Sequence, residues 1–262
     1  MNFIKGSLLV LFCVLFFISL LFLGVFATLN ASLDYENVKP QIKSLIKEII
    51  EKEVNRTIID EQAKILQTYC RETNNEYSFY DETTNHTFVI SCEIIAKGTD
   101  AIIDEESDIL IERYYYTEYT CGFLECIEKS PIFLISQHAK DFWKKQVYVF
   151  LIISALLVVL IFLLVENKKN FPLITGFLMV FSFIPLVALL PLARFFISGI
   201  ATTALPFNLE FVALIFFGEY KSVFLFGFIL GLVLVGFGIF LKLLKIGFKI
   251  EHFFMKKEND ED

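Results

Sequence analysis

Four of the five cysteines, Cys70, Cys92, Cys121 and Cys126, lie in one polar stretch of the chain. An even number of cysteines between apolar segments is typical of disulfides in an exported domain. Four cysteines allow three connectivities. We favour Cys70–Cys92, because a predicted hairpin lies inside that loop, and Cys121–Cys126, which closes the short ring C-G-F-L-E-C. A zinc site is the alternative, but the sequence has no CxxC spacing and its histidines are scattered.

Motifs for other chemistry are missing from the sequence. It contains no GxGxxG, P-loop, HExxH or GxSxG motif. The acidic run at 104–108 lacks the glycine and the spacing of a calcium loop, so it predicts a solvated helix face rather than a cation site. We therefore expect no catalytic residue, no cofactor and no metal, and a protein that is not an enzyme.

Four apolar segments, at 6–29, 147–165, 171–192 and 222–241, are each long enough to cross a bilayer core of ~30 Å. The 262 residues include 31 Phe and are 56% hydrophobic, outside the range of soluble domains. This predicts a mainly α, polytopic membrane protein with four transmembrane helices and the lipid bilayer as a partner. The first segment is predicted to be an uncleaved signal anchor. The alternative is a signal peptide cleaved after Ala27.

Lysines precede the first apolar segment, occupy the turn between the second and third, and follow the fourth. They are Lys5, Lys168, Lys169, Lys242, Lys245, Lys249, Lys256 and Lys257. If four spans alternate, all of them lie on one side, and an excess of lysine marks the cytoplasmic side. We therefore place the protein in the cell membrane with both termini cytoplasmic. The predicted order is a cytoplasmic N-terminus (1–5), helix 1 (6–29), an extracytoplasmic domain (30–146), helix 2 (147–165), a cytoplasmic turn (166–170), helix 3 (171–192), an outer interfacial or re-entrant segment (193–221), helix 4 (222–241) and a cytoplasmic amphipathic tail (242–262).

The predicted extracytoplasmic domain is acidic and mostly helical. Residues 30–145 hold 22 Asp or Glu and 13 Lys or Arg, which argues against a nucleic-acid partner. Apolar periodicity predicts one long amphipathic helix at 38–69, bent near Asn55, and a second helix at 100–116. Strand formers at 77–80 and 87–90 around a polar turn predict a small β-hairpin. Ser130-Pro131 predicts a helix start that continues into the second span. Glycosylation sequons at Asn55 and Asn85 suit an extracellular glycoprotein.

Two features of the membrane segments suggest specific roles. Arg194 follows the third segment and is expected at the outer interface, either as an anchor or paired with Glu210. Gly227 and Gly231 are four residues apart, a spacing that lets helices approach closely. They predict tight packing within the bundle or, alternatively, a homo-oligomer through the fourth helix.

These observations predict a non-enzymatic integral membrane protein whose exported domain interacts with a protein partner or a ligand. Two alternatives stay open. One is a channel or transporter subunit that uses Arg194 and the segment after it. The other is a sensor subunit without an output domain of its own.

Overall fold

The computed structural model describes residues 3–53, 56–73, 76–81, 86–200 and 215–259. It is mostly helical, with a single pair of strands among these residues. The chain divides into two compact units. The apolar unit comprises Met1–Ser32 and Asp141–Asp262, and the polar unit comprises Leu33–Lys140.

The apolar unit contains the long helices. They are α1 (Phe3–Ser32), the greater part of α7 (Gln137–Leu164), α8 (Phe171–Ile200) and α9 (Tyr220–Asn259), with a short 3-10 turn at Lys168–Asn170. Among the described residues, four segments are long and apolar enough to cross a membrane: Phe3–Ser32, Gln137–Leu164, Lys168–Val187 and Ile215–Leu244. These are the four segments that the sequence predicts, with longer helices around them. Helix α8 runs past the predicted end at 192, so the backbone of 193–200 is helical.

Small residues bring α8 and α9 close together. A methyl group at Gly176 of α8 would lie 2.7 Å from the backbone nitrogen of Val235 in α9, and one at Gly231 would lie 2.9 Å from that of Val180. Real side chains are not found at such distances, so both positions require glycine. Leu157 and Ile161 of α7, together with Val165 directly after it, form a core with Phe16 and Leu20 of α1.

The polar unit contains shorter helices and the hairpin. Its elements are α2 (Tyr35–Glu53), α3 (Arg56–Thr73), β1 (Tyr77–Asp81), β2 (His86–Ile90), α4 (Cys92–Lys97), α5 (Thr99–Tyr116), α6 (Phe123–Lys129) and a 3-10 turn at Pro131–Ile135. The two strands are antiparallel, with Tyr77 opposite Ile90 and Phe79 opposite Phe88. The structure therefore confirms the predicted hairpin.

A row of ion pairs joins α2 to α5. Lys39 and Lys43 contact the carboxylate of Asp108 at 3.2 and 3.0 Å, and Lys47 contacts Asp104 at 2.8 Å. The lysines recur every four residues, so they lie along one face of α2 and meet two acidic residues that are also four apart. Asp104 and Asp108 of the acidic run at 104–108 are 43% and 31% exposed, and they also pair with lysines of α2, which the sequence does not predict.

The helices of the polar unit differ from the sequence prediction in several places, and the predicted single helix at 38–69 is described as the two elements α2 and α3. Helix α2 begins at Tyr35 rather than 38, so Pro40 lies inside the helix and not in its first turn. The predicted continuous helix from Ser130 is wrong, because the backbone of Ser136 is extended and interrupts it. The Ser136 hydroxyl accepts a hydrogen bond from the Ala139 amide, so Ser136 caps the start of a separate helix, α7. Helix α6 has only seven residues and was not predicted.

Candidate functional site

A cleft lies beside the disulfide between Cys70 and Cys92 in the polar unit. Its volume is about 400 Å³, and α3 and α4 provide the side chains that line it. The cysteine Cα atoms are 5.5 Å apart, and Cys70 is buried in a small core with Ile90 and Ile95. The disulfide therefore ties the end of α3 to the start of α4 and fixes one wall of the cleft against the other.

Helix α4 has only six residues, and local interactions at both ends hold it in place. Ser91 is its N-cap, and its hydroxyl accepts a hydrogen bond from the Ile94 amide. Gly98 ends the helix with φ +101°, a left-handed conformation that favours glycine, and the next helix begins at Thr99. Ile95 is fully buried. A helix this short is not stable alone, so its position depends on these caps, on Ile95 and on the disulfide.

The cleft combines polar and apolar groups. The Gln67 side chain donates a hydrogen bond to the Ile95 carbonyl at 3.3 Å and joins the two walls. Glu93 accepts a hydrogen bond from Lys97 at 3.0 Å, an i,i+4 pair on α4. Within the part of the chain that the structure describes, Arg71 makes no ion pair. Its guanidinium carries up to five donors, so the cleft can bind a carboxylate next to an apolar group.

The hairpin beside this core carries apolar side chains on both faces. On the inner face Ile90 is buried and Tyr77 packs against the same core. On the other face Tyr80 and Val89 are 58% and 48% exposed. A strand with one wet face normally alternates apolar and polar residues, and Tyr is one of the residue types enriched at protein interfaces. The outer face also carries Ser78 and Thr87, which pair with Val89 and Tyr80, so it combines two polar side chains with two that are largely apolar.

Two carboxyl groups of α5 have pKa values that depart from the ordinary value. The hydrogen bond from Lys47 is the main reason why the pKa of Asp104 is lowered. Burial raises the pKa of Glu106, and the neighbouring Glu105 raises it further. Both carboxylate oxygens of Glu106 are buried without a hydrogen-bond partner among the described residues. Both shifts have structural causes within the polar unit.

Most of the residues singled out in the sequence do not meet at one place. The structure pairs Cys70 with Cys92 and Cys121 with Cys126, as the spacing favours. Asn55, Asn85 and Glu210 lie outside the described residues, and only the backbone of Arg194 is described, within α8. Glycosylation and the pairing of Arg194 with Glu210 stay predictions.

Gly227 and Gly231 both face α8 of the same chain. Gly227 packs against the ring of Phe183, and Gly231 lies against the backbone of Val180. This is the packing within the bundle that the sequence favours. Association of α9 with a second copy stays a prediction.

Comparison of the chain with protein-family models, with curated proteins and with solved structures finds no match. The geometry of the described residues therefore carries the functional argument. Sequence reasoning missed the cleft and Arg71. The sequence signal for the cleft is weak: it consists of Ser91 and Gly98 on either side of a six-residue helix that begins with a disulfide cysteine.

Proposed function

We propose that this chain is a non-enzymatic integral membrane protein of the cell membrane whose polar unit lies outside the cytosol and binds another protein. The observation that carries the proposal is the outer face of the hairpin, where Tyr80 and Val89 are exposed. The hairpin is attached through its other face to a core stapled by the Cys70–Cys92 disulfide. The surface is therefore held in a fixed shape before a partner arrives, which lowers the entropy cost of binding.

The cleft beside the same disulfide supplies polar specificity. Arg71 offers a planar set of donors that matches a carboxylate. An acidic side chain or a chain end on the partner would satisfy it, while Tyr80 and Val89 would cover apolar residues. The proposed partner is thus a protein with a carboxylate and an apolar patch, and nucleic acid is disfavoured by the acidity of residues 30–145.

Photocrosslinking tests the binding surface in the full chain. A photoreactive phenylalanine analogue replaces Tyr80 in intact cells, and the matched control carries it at Tyr116, which is 48% exposed on α5. We expect one adduct of defined mass at Tyr80 and none at Tyr116. Adding Val89→Glu should lower the yield about tenfold, which corresponds to about 1.4 kcal/mol. Equal adducts at both positions, or none at Tyr80, would refute the proposal.

Thiol labelling tests the location of the polar unit separately. Intact cells are treated with a reductant that does not cross membranes and then with an impermeant maleimide. We expect labelling of Cys70 and Cys92 only after reduction. Thiols that are already free, and that react only after the cells are permeabilised, would place the unit in the cytosol and contradict the proposed topology.

Ion flux measurement separates the proposal from a channel or transporter. Vesicles that contain the purified chain are expected to show no flux above protein-free vesicles. A flux that Arg194→Ala abolishes would replace the binding role with a transport role. Copurification with a kinase would instead favour the sensor subunit.

A further inference from the structure

A long apolar cavity lies among α1, α7, α8 and α9 in the apolar unit. Its volume is about 500 Å³. On three of these helices its lining extends over eleven residue steps, at Phe16–Ala27, Val147–Val158 and Val223–Leu234. At 1.5 Å per residue the cavity is about 16 Å long. It follows the helix axes through segments that are apolar enough to cross a membrane.

The few polar groups in the lining are already bonded within the protein. The hydroxyl of Ser154 shares a hydrogen bond of 2.9 Å with that of Ser19, and Thr175 donates to the Phe171 carbonyl at 2.9 Å. Helical backbone groups bond within their own helices. A ligand in this cavity therefore meets only apolar surface, and apolar cavities stay free of water. A lining of this kind favours a hydrocarbon as the ligand.

The dimensions select the kind of hydrocarbon. A transmembrane helix needs a path of about 30 Å, which is about twice the length of this cavity. The ~30 Å core of a bilayer contains two layers of lipid chains, so one chain extends about 15 Å. The length of the cavity thus matches one lipid chain, and not a transmembrane helix of a partner or of a second copy.

Packing explains why the cavity does not close. Backbone contacts at Gly176 and Gly231 fix α8 against α9, so these two helices cannot shift to fill the space. The cavity is open at the surface of the unit, because Leu151, Phe226 and Leu230 of its lining are 50%, 73% and 40% exposed. When the helices lie in a bilayer, hydrocarbon rather than water fills an apolar opening of this kind. We infer that the cavity among α1, α7, α8 and α9 binds one hydrocarbon chain of a membrane phospholipid.

Photolabelling tests this inference without reference to the proposed partner. The full chain is reconstituted in phosphatidylcholine vesicles that contain a trace of phosphatidylcholine with a diazirine on its acyl chain. Illumination is followed by peptide mapping. We expect Leu151 and Leu230, which line the cavity, to be labelled several-fold more than Leu163, which is exposed on α7 outside the lining.

Two variants of α7 make the test specific. Ala155 lines the cavity, and Ala155→Phe should lower labelling of Leu230 several-fold by filling the space. Val159→Phe adds a ring outside the lining and should leave the labelling unchanged. If Ala155→Phe does not fold, Ala155→Leu gives the same comparison with a smaller side chain. Labelling of Leu230 that equals that of Leu163, or that survives the filling of the cavity, overturns the inference.

Discussion

The two units hold their helices together by different means. In the apolar unit α8 and α9 meet at Gly176 and Gly231, where backbone atoms of the two helices touch. In the polar unit one disulfide joins α3 to α4, and lysine–aspartate pairs join α2 to α5. The second disulfide closes a short ring at the start of α6, and the buried hydroxyl of Tyr115 connects α5 to Leu33. The solvents that we propose for the two units, lipid and water, explain the difference. Lipid is as apolar as a leucine side chain, so helices associate in it by close packing, whereas short helices in water need cross-links and a core.

The disulfides provide the strongest test of this comparison. Replacing Cys70 and Cys92 together by serine should cost the polar unit about 3 kcal/mol, because the bridge closes a loop with a sequence separation of 22. Replacing Cys121 and Cys126, with a separation of 5, should cost less, about 2 kcal/mol. Pulse proteolysis of the full chain in urea measures both. An equal loss from the two double variants would show that loop length does not set the cost.

Glycine substitution tests the apolar unit. Gly176→Ala brings a methyl group to 2.7 Å from the Val235 nitrogen, a contact that only a shift of the helix backbone can relieve. We expect a loss of about 1–3 kcal/mol. The matched control is Gly236→Ala in α9, where nothing lies within 4 Å of the added methyl group. Unfolding of the reconstituted chain by sodium dodecyl sulfate compares them. Similar stabilities would mean that close packing at Gly176 is dispensable.

Removal of one hydroxyl group tests a buried hydrogen bond of the polar unit. Tyr115 is 4% exposed, and its hydroxyl donates to the fully buried Leu33 carbonyl at 2.8 Å. Tyr115→Phe keeps the ring and leaves that carbonyl without this donor, so we expect a loss of about 1 kcal/mol. Tyr116→Phe removes an exposed hydroxyl from the same helix and should change the unfolding free energy little. Urea titration monitored by hydrogen exchange of the polar unit reports both values.

Some of these elements can be predicted from the sequence and others cannot. The hairpin and the disulfide pairing follow from local patterns, since strand formers flank a polar turn and each cysteine pair closes a short loop. The pairing of Lys43 with Asp108 and the cleft around Arg71 do not, because they depend on which helices pack together. Helix α4 escaped prediction because six residues are too few to establish a helical period. The apolar cavity among α1, α7, α8 and α9 depends on gaps between helices, which no residue pattern records.

The last test concerns Glu106, whose carboxylate has no hydrogen-bond partner among the described residues. Burial raises the pKa of Glu106 in the folded state. A carboxyl group whose pKa is raised in the folded state destabilises the fold at any pH above the pKa that it has in the unfolded chain. This destabilisation disappears as the pH falls from the folded-state pKa to the unfolded-state pKa. Glu106→Gln should therefore stabilise the polar unit at pH 7 and have no effect below about pH 4, near the ordinary pKa of glutamate.

Unfolding of the full chain in urea at pH 4 and pH 7 measures this difference, with the exposed Glu112→Gln as a control. The expected gain at pH 7 is the smallest effect of the series, because Glu106 is only partly buried and solvent screens its charge. A gain at pH 7 would show that ionic groups in this unit are not uniformly stabilising. A loss there would mean that the carboxylate is bonded in solution and belongs with the lysine–aspartate pairs of α2 and α5.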